Sequence, residues 1–196
     1  MRRARVQVEL PYATIPIIFG VQQLIEGGLW LALPVHHPAT HALTVAYLLF
    51  SNVLWPLYVP LAVWLIEPDA ARRRRFTLPI LAGIGTSLFF LVAIASQPVA
   101  ATIRGLHIDY LLPHPHHTIA FAFYALATCL APLLSSYRTV QLLGGVIISS
   151  MILAYLAYAI WFASVWCFFA ALTSSVVFLH FARRDASRAA SSIRPA

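Results

Sequence analysis

The stretch from Tyr12 to Leu33 reads YATIPIIFGVQQLIEGGLWLAL and carries a single charged side chain, Glu26. A helix rises about 1.5 Å per residue, so about 20 mostly apolar residues cross a bilayer. This run has the length and the composition to do so. The rest of the chain follows it: of 196 residues, 61% are hydrophobic and 10% charged, and the mean hydropathy is +0.81. Soluble domains carry about a quarter charged residues. The composition therefore excludes a soluble globular domain, a disordered chain and a nucleic-acid-binding domain.

Five further apolar runs follow the first. The spans read as 12–33, 42–66, 77–96, 118–134, 139–159 and 163–182. None alternates with a period of two, which argues against a barrel. The expected fold class is an all-α, polytopic bundle of six transmembrane helices in one domain, 1–184, with a small polar tail, 185–196, read as disordered. Between the third and fourth spans, Val99, Ile103, Leu106 and Tyr110 recur at helical spacing. They predict a short amphipathic helix in the outer interface, broken afterwards by Pro113 and Pro115.

Arginine placement orients the bundle. All 13 basic residues are Arg. Arg2, Arg3, Arg5, Arg72 to Arg75, Arg138, Arg183, Arg184, Arg188 and Arg194 fall on one side of a six-span arrangement, and Arg104 on the other. Cytoplasmic loops carry the positive residues, so both termini are expected in the cytoplasm, with the chain in a bacterial inner membrane. The net charge of +7 is then a topology signal beside anionic lipid and not a nucleic-acid surface. The histidines sort the other way: His36, His37, His41, His107, His114, His116 and His117 occupy the outer loops, and His180 lies at the inner end.

Glu26 is the one acid well inside a span. An ionisable residue there is expensive, and is a functional candidate by default. Counting from Leu33 places it about 10 Å below the surface. Gln22, Glu26 and Trp30 share a helix face at i, i+4 and i+8, and Asn52 and Ser87 reach comparable depth. Trp55 and Pro56 with Pro60 kink the second span, and Trp166 lies near the outer end of the sixth. The expected ligand pocket is Gln22, Glu26, Trp30, Asn52, Trp55 and Trp166; the competing reading makes Glu26 interhelical glue. Gly83-x-x-x-Ser87 and Gly145-x-x-x-Ser149 read as close-packing faces. The outer imidazoles suit a transition metal such as zinc, copper or iron. The candidate nucleus is His107 with Asp109, joined by His114, His116 or His117, and it requires 107–109 to be extended so that both side chains face one way. For His36, His37 and His41 the bland reading, solvating loop residues, is preferred.

Phe19-Gly20-x-Gln22-Gln23-x-x-Glu26-Gly27, Trp55-Pro56 with Pro60, His107-Ile108-x-Tyr110 and Ser164-Val165-Trp166-Cys167-Phe168-Phe169-Ala170 occur together. This set resembles an uncharacterised family of bacterial polytopic membrane proteins of unknown function. The resemblance runs from the first span to the sixth and implies the fold but no activity. Members of that family often open with an extra helix beginning Met-Cys-Phe-Ser-Ala, giving seven helices; here the chain starts Met1-Arg2-Arg3, as in a short variant or a misassigned gene start.

Two classes of function compete. One is a non-enzymatic membrane protein that holds a small ligand, ion or metal in an outward-facing polar pocket, as a transporter, sensor or complex subunit, in the bilayer alone or as an oligomer. The other is a membrane-embedded metal-dependent hydrolase or oxidoreductase, with Glu26 or Asp109 as base. The first is preferred, because no nucleophile–base motif is present.

Overall fold

The computed structural model describes residues 2–157 and Val177, with side chains over 8–153 and at Val177. The sixth expected span, with Trp166 and Cys167, lies outside the described residues apart from Val177. Four helices are long and apolar enough to cross a membrane: Val8–Ala32, Thr40–Ile66, Ala70–Ser96 and His117–Leu134. A shorter apolar helix covers Arg138–Leu153. The four long helices overlap the first four expected spans, the third starting seven residues earlier than expected, and the shorter helix covers most of the fifth.

The first pass is α1 (Arg2–Ala13) and α2 (Ile15–Ala32), separated by a turn at Thr14. Pro11 and Pro16 flank that turn and remove backbone donors from the ladder. The Pro11 carbonyl accepts two hydroxyls. Thr14 Oγ1 donates to it at 3.0 Å and the Tyr58 hydroxyl at 2.9 Å.

The second pass is α3 (Thr40–Leu48), a π-helical turn (Leu49–Leu54) and α4 (Trp55–Ile66). The turn ends at a proline. In π register a carbonyl bonds the amide five residues on, and for Ser51 that residue is Pro56, which has no N–H. The Ser51 carbonyl instead accepts the Tyr124 hydroxyl at 2.7 Å. Two residues on, the Val53 carbonyl accepts Ser87 Oγ at 2.6 Å. Pro60 likewise frees the Pro56 carbonyl, and Gly83 lets a neighbouring helix close over it: a Cβ on Gly83 would lie 2.0 Å from Pro56 O. The packing face expected of Gly83 and Ser87 is thus real, and its partner is the proline-opened side of the second pass.

The third pass is α5 (Ala70–Arg73), a 3-10 turn (Arg74–Phe76) and α6 (Thr77–Ser96). Asp69 caps α5 through the Ala71 and Arg72 amides. The fourth is α7 (His117–Ala125), a π turn (Leu126–Leu130) and α8 (Ala131–Leu134), and α9 (Arg138–Ala157) follows. Here the expected small-residue face is corrected by one position. Gly145 faces open space, whereas a Cβ on Gly144 would lie 2.9 Å from Pro132 Cβ.

Residues 97–117 form no interfacial helix. They contain a β-hairpin, β1 (Ala100–Arg104) and β2 (His107–Leu111), paired antiparallel with Ile103 opposite Ile108 and Ala101 opposite Tyr110. The connection is two residues, Gly105 and Leu106. Gly105 has φ +63°, the left-handed conformation that two-residue hairpin turns require and glycine adopts without strain. Ala101, Ile103, Ile108 and Tyr110 make the apolar face with period two, and it packs on Leu29 and Tyr47.

The two ends of the bundle differ. At one, the hairpin lies against the 33–44 connection. At the other, fully buried Glu67 joins two connections: it accepts the Ser136 amide at 2.7 Å, Ser136 Oγ at 2.5 Å and the Asp69 amide at 3.2 Å. Arg72 to Arg75 and Arg138 cluster at this second end, and Arg73 Nε donates to the Glu67 carbonyl at 2.8 Å.

Candidate functional site

The face that α2 buries runs through Phe19, Gln22, Glu26 and Leu29. Gln22 is fully buried and Glu26 is 6% exposed, although each lies in a run otherwise fit for lipid. Trp30 departs from the expected line and is 37% exposed. Its place at the end of the helix suits an interfacial aromatic, and it is not part of the cluster. Successive steps of three and four residues, rather than a strict four, hold a position on one helix face. That drift selects Leu29 over Trp30.

Trp55 lies beside Gln22 and Phe19. Its indole lies on Phe19, with ring centroids 3.7 Å apart and planes 16° from parallel, and its Nε1–H donates to Gln22 Oε1 at 2.5 Å. The other half of that amide, Gln22 Nε2, is buried and has no hydrogen-bond partner among the described residues. A buried unsatisfied donor typically costs about 1–3 kcal/mol. Asn52 sits half-buried on the π turn of the second pass.

The roof of the cluster comes from the hairpin. The Tyr110 hydroxyl donates to Glu26 Oε1 at 3.3 Å, and Gln23 Nε2 donates to Oε2 at 3.4 Å. Both are longer than the about 2.7–2.9 Å of a compact charge-assisted bond. Tyr110 stacks on Tyr47, centroids 4.2 Å apart and planes within 5°. The hairpin thus covers the carboxylate with one aromatic pair, while Trp55 and Phe19 pack together beside Gln22. Tyr47 was not singled out by sequence; Phe19, Gln23 and Tyr110 stood in the quoted stretches but not among the expected pocket residues. Tyr110 carried a usable signal, since Ile108 and Tyr110 alternate across a strand that ends in a Gly turn.

The expected metal nucleus is arranged differently. His107 and Asp109 lie on one strand and share its outward face, as that reading required. Asp109, however, is engaged by Arg104, at 3.2 Å across the hairpin. His114 and His117 lie together, with ring centroids 4.1 Å apart, and His114 Nδ1 meets the Leu112 carbonyl at 2.7 Å. His116 is exposed, with φ +58°. Among the described residues no three His, Cys, Asp or Glu side chains stand close enough to hold one ion. Burial lowers the pKa of His114, the nearby His117 adds to this, and the bond to Leu112 opposes it.

Four long apolar helices, an intramembrane carboxylate and a hairpin over one end define a multi-pass helical membrane protein. The profile of a family of unknown function, DUF6629, matches residues 1–192, and the chain belongs to that family. No curated protein and no solved structure matches it.

Proposed function

We propose that this protein is a six-span membrane protein of the cytoplasmic membrane that holds a small polar ligand or ion at the Gln22–Glu26–Tyr110 cluster, acting as a transporter, a sensor or a subunit. The observation that carries this reading is the pairing of Glu26, almost fully buried in an apolar helix, with a neighbouring amide donor, Gln22 Nε2, that no described residue satisfies. The carboxylate accepts from Tyr110 and Gln23, while Gln22 Nε2, one helical turn away, is a donor left over, beneath a roof that is a small two-stranded element rather than a membrane helix. The arginine-rich end faces the cytoplasm on this reading, so the hairpin end and the pocket face outward.

The test is a thermal-shift screen of detergent-purified protein against inorganic ions and small polar metabolites, run in parallel with Glu26→Gln. The amide is nearly isosteric, so the variant folds. At least one compound is expected to raise the melting temperature of the wild type and not of the variant. Compounds that stabilise both proteins equally would place the ligand elsewhere.

A further inference from the structure

A groove of about 490 Å³ runs between α6 and α7 on the surface of the bundle. It is separate from the Glu26 cluster, and its case does not depend on that reading. The small residues Ala82, Gly85 and Ala120 leave the space, and Leu81 of α6 and Phe123 of α7 wall it. Both walls are exposed, so in a bilayer the groove opens onto lipid. It begins at Leu78, beside the arginine run, and extends along α6 to Phe89. That length of helix rises about 16 Å, close to half of the about 30 Å hydrocarbon thickness. At the Phe89 end the connection before α7 closes over it. His116 borders the groove there, and the His114 ring packs edge-on against Phe89 and Phe90, with centroids 5.8 and 5.2 Å away. Phe89 also borders a second depression, which reaches toward Ser96 and Gln97.

We propose that this groove holds one acyl chain of an anionic phospholipid, with the lipid phosphate at Arg74 and Arg75. The two parts of that site lie on one helix face. Residues three and four apart on a helix are neighbours, so Arg74 and Arg75 stand one turn before Leu78. Leu78, Leu81, Ala82, Gly85 and Phe89 continue the same line. The four consecutive arginines are not equivalent. Arg72 pairs with Asp69 at 3.6 Å. Arg73 donates to the Glu67 carbonyl and lies over the Trp64 ring, 5.6 Å from its centroid. Arg74 and Arg75 are exposed, and neither guanidinium has an ion pair or a hydrogen bond with a described residue. The nearby acids are already engaged, Asp69 by Arg72 and Glu67 by Ser136. Two unpaired guanidiniums at the mouth of an apolar slot match the two halves of an anionic phospholipid, phosphate and chain. A free phosphate would use the arginines and leave the groove empty. A helix from a second copy would need a face along the full bilayer, whereas this groove closes at Phe89, near mid-depth.

The experiment is native mass spectrometry of the full chain, released from nanodiscs of equal parts phosphatidylglycerol and phosphatidylcholine. The wild type is expected to retain one phosphatidylglycerol in preference to phosphatidylcholine. Arg74→Gln and Arg75→Gln should each lower that preference about fivefold, the worth of one arginine near an anionic surface. Gly85→Leu tests the acyl chain. A Cβ at Gly85 meets nothing within 4 Å, so leucine fills the groove without displacing the protein, and retained lipid of both classes should fall. Gly20→Leu, at an equally open glycine on α2, is the control and should retain lipid as the wild type does. Melting temperatures in lipid-free detergent should not fall in any of the four variants, because none removes or crowds a contact within the fold. An equal retention of the two lipids by the wild type would overturn the proposal, as would an unchanged preference in both arginine variants. So would wild-type retention by Gly85→Leu, the result that charge attraction alone would give. A lipid-free dimer that Gly85→Leu splits would also overturn it, since the groove would then seat a second copy.

Discussion

Single residues carry two sharp expectations. Gly83 admits the Pro56 carbonyl where a Cβ would sit 2.0 Å away. Gly83→Ala must push α6 off α4, and should lower stability by about 1–3 kcal/mol or more, as overpacking does. Gly145→Ala, facing open space, should be neutral or slightly stabilising; unfolding of the two variants in mixed micelles compares them. His114 gives a pH dependence. Its folded pKa lies below the ordinary histidine value, so near pH 6.5 the unfolded chain binds more protons than the folded one. Stability contributed by the neutral ring is present above that pH and is lost as pH falls through it. Melting temperatures from pH 8 to 5 should fall less steeply for His114→Gln than for the wild type. At this scale the sequence was readable where chemistry is rare for its setting. Glu26, Gln22 and Trp55 stand out in apolar runs. Trp30 was misplaced because a strict step of four drifts around a helix, and Glu67 went unnoticed because its buried clamp depends on Ser136, sixty-nine residues away.

Helices and hairpin differ in how far local pattern determines them. α6 spans the same residues that hydropathy assigns, Thr77–Ser96, because in lipid every backbone polar group must be bonded within the segment. The hairpin was mistaken for a helix because Val99, Ile103, Leu106 and Tyr110 satisfy a helical period by coincidence. The deciding features were the β-branched Thr102, Ile103 and Ile108, and the glycine at the turn. In the expected metal set, Asp109 pairs instead with the cross-strand Arg104. The π turns were likewise beyond hydropathy, although Pro56 and Pro132 mark where each ladder is broken. If the hairpin is the roof of the Glu26 cluster, Tyr110→Phe should retain the fold through its stacking on Tyr47. It should weaken binding of any ligand found in the screen by roughly 2- to 10-fold, the value of one modest hydrogen bond. Unchanged affinity would separate the hairpin from the site.

For the whole molecule, the account rests on which way the bundle faces. Glu67 and Ser136 hold two connections together at the arginine-rich end, while the hairpin and the His36–His41 connection meet at the other. The described passes therefore divide the chain into two unlike ends, with Tyr110 of the hairpin over Glu26 at the hairpin end. The most direct measurement is cysteine accessibility in intact cells, with single cysteines at Leu106, 86% exposed at the hairpin tip, and at Ala70, exposed beside the arginine run, in a background lacking Cys129 and Cys167. With a membrane-impermeant maleimide, the account predicts that position 106 labels in intact cells and position 70 only after the membrane is opened. Labelling of both from the same side, or of position 70 alone in intact cells, would contradict it.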